Sequence, residues 1–277
     1  MNDLTKLLKM KENGVTIDIL TSIMNIYLEQ KAIALAKETL EEIDCFASKS
    51  CYYYFSGALY ETTKDYLKAI HYYDLAFKED ASCLEALYDK ARMLDKIKNT
   101  KEAIEIYEYL LDSDFVNLAS VFVNLSSIYE LSGNYNSAIE VLDLAFEKNI
   151  VNQDILYNMA VSYMRLFEYE KAIYYYLDAI DYTNCNKYAY FNLGFCYKCL
   201  KDYQEALSFY NQALEKSVPK EMVYYNIACV YALEKKSTSA IDLLNRCFKI
   251  DSTYLDYALD DEELINDLVI KKFLENY

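Results

Sequence analysis

One pair of residues has the spacing of a reactive motif: Cys196 and Cys199, with two residues between them. A structural zinc site needs a second pair of thiol or imidazole ligands, and the sequence holds no second C-x-x-C and only one histidine, His71. A thioredoxin-like motif needs a strand and helix context, whereas this pair falls inside a helical pattern. His71 is predicted to point outward from a helix, without catalytic partners. The sequence therefore favours packing for both cysteines and predicts no enzymatic activity, no metal and no cofactor.

The elements that must position any functional side chain recur along the chain. Six alanines are spaced 34 or 35 residues apart, and most of them follow a tyrosine by three positions. They are Ala69, Ala103, Ala138, Ala172, Ala206 and Ala240. Each period contains two amphipathic helical patterns, such as Tyr190, Leu193 and Tyr197 on one face of a first helix. Because neither helix buries its apolar stripe alone, successive periods must stack on one another.

The stretch YFNLGFCYKCLKDYQEALSFYNQAL, Tyr190 to Leu214, resembles the pattern of the tetratricopeptide repeat (TPR) family. The resemblance implies an all-α, right-handed helix-turn-helix solenoid. It places six repeats at 50–83, 84–118, 119–152, 153–186, 187–220 and 221–254. Residues 1–49 are predicted to form a degenerate N-terminal repeat or cap. Residues 255–277 are predicted to form a C-terminal capping helix that begins near Asp260 or Asp261 and buries Leu264 and Leu268.

Composition narrows the classes of partner and the location. Lys and Arg total 28 against 44 Asp and Glu, a net charge of −16, which argues against nucleic acid or an anionic membrane as the partner. No apolar run is long enough for a membrane span. Eight cysteines in 277 residues are too sparse for a disulfide scaffold and favour a reducing compartment. The sequence therefore predicts a cytoplasmic protein.

Helical geometry at 100° per residue separates two surfaces. Positions are counted from the start of each repeat. Position 6 of the first helix points away from the apolar side chains that face the core, and it is asparagine in four repeats. Apolar residues share that outward face in the later repeats, whereas the outward residues of the second helices are mostly acidic. In the TPR family the first helices line a concave groove where peptides bind, so this groove is the predicted site. Its candidate residues are Asn124, Asn158, Asn192, Asn226, Val161, Arg165, Tyr188, Phe195, Met222, Asp89 and Arg92.

Two interpretations of the asparagines remain open. An amide offers both a donor and an acceptor, so a row of them suits the backbone of an extended peptide. Alternatively, asparagine is the common residue of the family at this position and bonds locally. The carboxylate clamp known from some TPR proteins is disfavoured, because its first lysine is replaced by residues such as Tyr54 and Tyr157. A ligand with a basic end near Asp89 and an apolar end near Phe195 fits the charges better.

The sequence thus predicts a non-enzymatic adaptor or scaffold that holds a protein or peptide segment of unknown identity in the groove. The alternative is a structural subunit that associates with itself within a larger assembly. The two classes differ in oligomeric state, since a monomer favours the adaptor.

Overall fold

A computed structural model describes residues 3–277 of the chain; Met1 and Asn2, which begin the predicted N-terminal repeat, lie outside the described residues. This range contains 18 α-helices and no β-strand, as the sequence predicts, and none of its helices is long and apolar enough to cross a bilayer. The chain divides into two compact units, Met1–Ile128 and Tyr129–Tyr277. The helices up to the boundary are α1 (Asp3–Asn13), α2 (Ile17–Glu29), α3 (Ile33–Phe46), α4 (Lys49–Thr62), α5 (Tyr66–Glu79), α6 (Leu84–Lys96), α7 (Thr100–Leu111) and α8 (Leu118–Leu131), which contains it. The remaining helices are α9 (Tyr135–Glu147), α10 (Gln153–Arg165), α11 (Tyr169–Ile180), α12 (Tyr188–Cys199), α13 (Tyr203–Glu215), α14 (Lys220–Leu233), α15 (Ser237–Ile250), α16 (Tyr254–Asp260), α17 (Glu262–Ile265) and α18 (Leu268–Leu274).

Neighbouring helices pack as hairpins. In the first unit α2 packs against α3, α4 against α5 and α6 against α7. In the second unit α10 packs against α11, α12 against α13 and α14 against α15. Successive hairpins also touch within each unit, through α5 and α6 in the first and through α11 and α12 or α13 and α14 in the second. These hairpins, from α4 onward, each fall within one period of the sequence repeat.

The same turn joins the two helices of every hairpin. At the end of α4, the N–H of Lys64 donates to the carbonyl of Glu61, and the N–H of Asp65 donates to the carbonyl of Tyr60, both at 2.9 Å. These two bonds define a Schellman motif, whose central residue must adopt a left-handed conformation. The residues with positive φ at the equivalent turns are Lys31, Lys64, Lys98, Gly133, Phe167, Lys201 and Lys235. Only one is glycine, so the other six turns carry backbone strain.

In two hairpins a large buried tyrosine on the second helix packs against a glycine on the first. Tyr73 and Tyr210 lie against Gly57 and Gly194, and a Cβ at either glycine would come within 2.6 or 2.7 Å of the ring. Both rings are at most 1% exposed. The glycines are therefore needed for close approach of ring and helix backbone. The equivalent side chains in the other repeats are also buried: Tyr107, Leu142, Tyr176 and Leu244.

The closing segment holds three short helices where the sequence predicts one. Asp261 and Asp267 each have an extended backbone and accept hydrogen bonds from backbone N–H groups of the following helix. Asp261 therefore ends α16 and starts α17, and Asp267 starts α18. Leu264 is buried as predicted, but the restart changes which face of α18 points inward. Leu268 is consequently 81% exposed, and Ile270 is buried in its place.

Relief of strain at one turn is a direct test of this account of the hairpins. Phe167 has a φ of 63° and is 76% exposed, so its ring contributes little packing. We expect Phe167→Gly to raise the free energy of unfolding by about 0.5–1 kcal/mol, because relief of left-handed strain outweighs the entropy of the more flexible unfolded chain. Phe167→Ala, which keeps a Cβ, is the control and should give no such gain. Urea unfolding compares the three proteins. Equal changes in unfolding free energy for glycine and alanine would contradict the assignment of backbone strain to residue 167.

Candidate functional site

The four predicted asparagines lie on successive first helices, and two of them donate to tyrosine hydroxyls. In the first unit, Nδ2 of Asn124 lies 2.9 Å from the hydroxyl of Tyr88 and 3.3 Å from that of Tyr107. In the second unit, Nδ2 of Asn192 lies 2.8 Å from the hydroxyl of Tyr176 and 3.3 Å from that of Tyr157. Each amide thus joins the first and second helices of the preceding repeat to its own helix. We call these contacts the tyrosine–asparagine row.

Two aspartates take the place of asparagine elsewhere in this row. The hydroxyl of Tyr54 donates to Asp89 at 3.1 Å, and the hydroxyl of Tyr225 donates to Asp261 at 2.7 Å. In each case the polar side chain lies 35 or 36 residues after the tyrosine, as it does for Asn124 and Asn192. The recurring sequence distance shows that the row holds one repeat to the next.

The remaining two asparagines differ in their surroundings. Phe191 stands where the preceding repeat would supply a hydroxyl to Asn226. Asn226 instead donates to the backbone carbonyl of Met222 at 3.0 Å and accepts a long hydrogen bond, 3.4 Å, from Tyr210. Asn158 is only 8% exposed. The amide N–H groups of Asn124, Asn192 and Asn226 are therefore engaged within the protein.

Asp89 and Arg92 belong to an ion-pair network on the first unit. Arg92 bridges Asp89 on its own helix and Glu61 on α4, the latter at 3.0 Å. Burial raises the pKa of Asp89, and the nearby guanidinium of Arg92 opposes that rise. The network lines a cavity of about 830 Å³ between α2, α4 and α6, which Lys31 and Lys96 also border. The basic end of a ligand would therefore have to compete with Arg92 for Asp89.

The other predicted residues lie on first helices of the second unit, and four of them are apolar. Val161, Tyr188, Phe195 and Met222 come from α10, α12 and α14, and all four are half-buried; together we call them the apolar face. Arg165, which follows Val161 by one helical turn, is exposed. The second helices differ as the sequence predicts, since the outward residues of α9 (Glu140, Asp143 and Glu147) are exposed acids.

Sequence reasoning missed a buried lysine at the end of this surface. Lys198 is 7% exposed, and its ammonium lies 2.6 Å from a carboxylate oxygen of Glu263 in α17. Cys229 on α14 donates its thiol hydrogen to Asp261. Despite the cost of burial, the thiol of Cys229 and the carboxylate of Glu263 raise the pKa of Lys198. The spacing from Tyr225 to Asp261, which matches that from Tyr88 to Asn124, was the signal that could have located this contact.

The arrangement offers one group of potential metal ligands among residues 3–277. One ligand atom each from Cys229, Asp261 and Glu263 lies within 4.8 Å of the others. The ammonium of Lys198 already supplies a positive charge to Glu263, so a metal ion would have to displace it. The C-x-x-C pair lies within α12, where burial and the neighbouring Cys199 raise the pKa of Cys196 to about 12. A neutral thiol is a poor nucleophile and a poor ligand.

The comparisons with known proteins agree with this architecture. Models of the tetratricopeptide repeat family match residues 58–114, 119–147, 153–217 and 223–254. The chain therefore belongs to the TPR family, whose repeats generally serve as non-catalytic scaffolds for protein interactions. No curated protein sequence matches the chain.

Solved TPR structures show the same fold. A chain of the APC/C hetero-tetramer Cut9–Hcn1 is 20% identical with a TM-score of 0.65, over 98% of this chain and 51% of its own length. The present chain thus spans about half of that neighbour. The C-terminal part of a TPR repeat-containing protein from Cytophaga hutchinsonii is 16% identical with a TM-score of 0.65, over 88% and 98% of the two chains. YrrB, described as a TPR protein with an unusual peptide-binding site, is 20% identical with a TM-score of 0.55, over 65% and 92%. At these identities the likeness confirms the predicted solenoid class.

Glu130 on α8 makes the stability of the second unit dependent on pH. Burial raises its pKa to about 7, although the Ser162 hydroxyl, 2.9 Å away, and Arg165 favour the charged form. As the pH rises above about 4.5, the unfolded chain loses this proton before the folded chain does, so folding becomes less favourable until about pH 7.

Glu130→Gln is expected to remove this penalty, because glutamine stays neutral and still accepts from Ser162. Relative to wild type, the variant should gain about 1–3 kcal/mol of unfolding free energy between pH 5 and pH 8. Urea unfolding of both proteins at the two pH values measures the gain, since all other titrating groups are shared. If the two proteins differ in unfolding free energy by the same amount at both pH values, folding does not raise the pKa of Glu130.

Proposed function

We propose that the chain is a non-enzymatic adaptor or scaffold that binds a protein or peptide segment on the apolar face. The observation that carries this proposal is that Val161, Phe195 and Met222, on three consecutive first helices, are apolar and only half-buried. A solvated face of a TPR stack would carry polar residues there, as α9 does on its outward side. Arg165, at the edge of the face, and the amide oxygens of Asn158 and Asn192 would contribute polar contacts.

The chain itself supplies a precedent for a segment on this surface. Val161 and Phe195 occupy position 9 of their repeats, and Cys229 occupies the same position in the next one. Cys229 is only 1% exposed, because the turn that carries Asp261 and Glu263 lies against it. A short acidic turn therefore covers one of these three position-9 residues. This supports the binding of a partner segment on the two that are not covered, Val161 and Phe195. On the first unit, Asp89, Arg92 and Asn124 would form a separate, polar contact surface.

Self-association is the second candidate, and exposed apolar residues of the C-terminal segment favour it. Tyr257, Leu268 and Val269 are 66%, 81% and 60% exposed. Apolar surface of this kind is typical of contact between subunits. In this alternative the chain would be a structural subunit of a larger assembly.

A cytoplasmic location is part of the proposal. All eight cysteines are free thiols, and three of them, Cys196, Cys229 and Cys247, are buried within helical packing. Buried thiols that serve as small apolar side chains suit a reducing compartment, where they stay reduced.

Capture of partners from a lysate of the source cells tests the adaptor proposal. Wild type is compared with Val161→Ser plus Phe195→Ser, which removes apolar contacts from the apolar face. The matched control is Tyr174→Ser plus Leu177→Ser on the second helix α11, where both side chains are also exposed. Circular dichroism first establishes equal helicity. We expect a partner that is retained by wild type and by the control and is lost, by at least about tenfold, from the apolar-face variant.

Two results would contradict the proposal. A partner held equally by wild type and the apolar-face variant, but lost from the control, would place binding on the second helices. If no partner is captured and light scattering shows a dimer or larger species, self-association would be favoured instead.

A further inference from the structure

A cavity outside the apolar face combines aromatic rings with carboxylates. It has a volume of about 580 Å³ and lies in the second unit, between α14 and the segment that forms α16 and the start of α17. Its lining consists of three tyrosines and three aspartates: Tyr225, Tyr254, Tyr257, Asp256, Asp260 and Asp261. No basic residue lines it, so its chemistry is that of a site for a positive charge.

The three tyrosine rings contact one another in tilted or edge-to-face pairs. The centroids of Tyr225 and Tyr254 are 5.3 Å apart with 51° between the ring planes. Those of Tyr254 and Tyr257 are 5.9 Å apart with 69° between the planes. All three rings line the cavity, and the face of an aromatic ring attracts a cation. Tyr257 is 66% exposed, so the cavity is accessible from solvent.

The three carboxylates add negative charge to the cavity. None of the ion pairs among residues 3–277 includes Asp256, Asp260 or Asp261. Asp261 is fixed in place, because it accepts from the hydroxyl of Tyr225 and from the backbone N–H of Glu263. Asp256 and Asp260 are exposed at the rim of the cavity. The cavity therefore has both a rigid acidic wall and an unpaired acidic rim.

We propose that this cavity binds the cationic side chain, lysine or arginine, of a partner protein. An organic cation uses both features, since its charge pairs with the aspartates while its flat or alkyl surface contacts the rings. A divalent metal ion would use only the oxygen ligands and would gain little from three tyrosine faces. This site is separate from the apolar face, so it adds a second contact to the proposed adaptor function and does not depend on it.

The absence of tryptophan from the sequence provides a local probe. Tyr257→Trp places a single fluorophore in the cavity wall and keeps a ring that binds cations at least as well. The full chain is titrated with the capped peptides acetyl-Gly-Lys-Gly-amide and acetyl-Gly-Arg-Gly-amide, and with the norleucine peptide as the neutral isostere. We expect saturable changes in emission with both basic peptides and dissociation constants at least about fivefold lower than with norleucine. Affinity should fall as salt is added.

Two charge variants of the reporter protein distinguish binding by the cavity carboxylates from general attraction of the peptide to the negative net charge of the chain. Asp256→Asn plus Asp260→Asn removes two charges from the rim and should weaken binding of the lysine peptide by at least about fivefold. Asp143→Asn plus Glu147→Gln removes two charges from the exposed face of α9 and should leave binding within about twofold. Tyrosine-ring NMR shifts in the unsubstituted chain check that Tyr254 and Tyr257 respond without the tryptophan.

The proposal is wrong if no basic peptide binds, or if norleucine binds as tightly as lysine. It is also wrong if both charge variants weaken binding equally, because the attraction would then come from the net charge of the chain.

Discussion

The packing of the first helices depends on a tyrosine of the second helix. In several repeats this tyrosine is buried against the first helix of the same hairpin. Tyr73 and Tyr210 approach so closely that only glycine fits beneath them. A ring in that position is buried together with its hydroxyl, and a buried hydroxyl must find a hydrogen-bond partner. Asn124, Asn192 and Asn226 reach the hydroxyls of Tyr107, Tyr176 and Tyr210, each 16 or 17 residues earlier in the chain. Packing of the core thus accounts for these three amides; the repeat before Asn158 carries Leu142 in place of the tyrosine.

Because of this constraint, positions 6 and 9 of the first helices have different surroundings. Position 6 serves the contact between repeats, through the tyrosine–asparagine row. Position 9 carries Val161 and Phe195, whose apolar side chains lie outside that row and are half-buried. The same division extends to the end of the chain, where Asp261 takes the role of the asparagine and its neighbouring turn covers Cys229. A partner segment on the uncovered residues would continue an arrangement that the fold already contains.

Much of the fold was predictable because the repeat is encoded in local sequence. The 34-residue period, the two helical patterns and the outward direction of Val161 and Phe195 follow from helix geometry alone. The site was harder to predict. Whether Asn192 faces a ligand or a neighbouring hydroxyl depends on how closely successive repeats approach, which one helix does not specify. The break between α17 and α18 was missed because Asp267 is compatible with a helix interior and acts as a cap only in its folded surroundings.

A double-mutant cycle between Tyr176 and Asn192 tests most directly whether the row holds the repeats together. Unfolding free energies are measured for wild type, Tyr176→Phe, Asn192→Ala and the double variant. The 2.8 Å contact predicts a coupling energy of about 0.5–1.5 kcal/mol, because either single change already removes this hydrogen bond and the second change then costs correspondingly less. A coupling near zero, with Asn192→Ala as stable as wild type, would contradict this account and return the asparagines to a role in ligand binding.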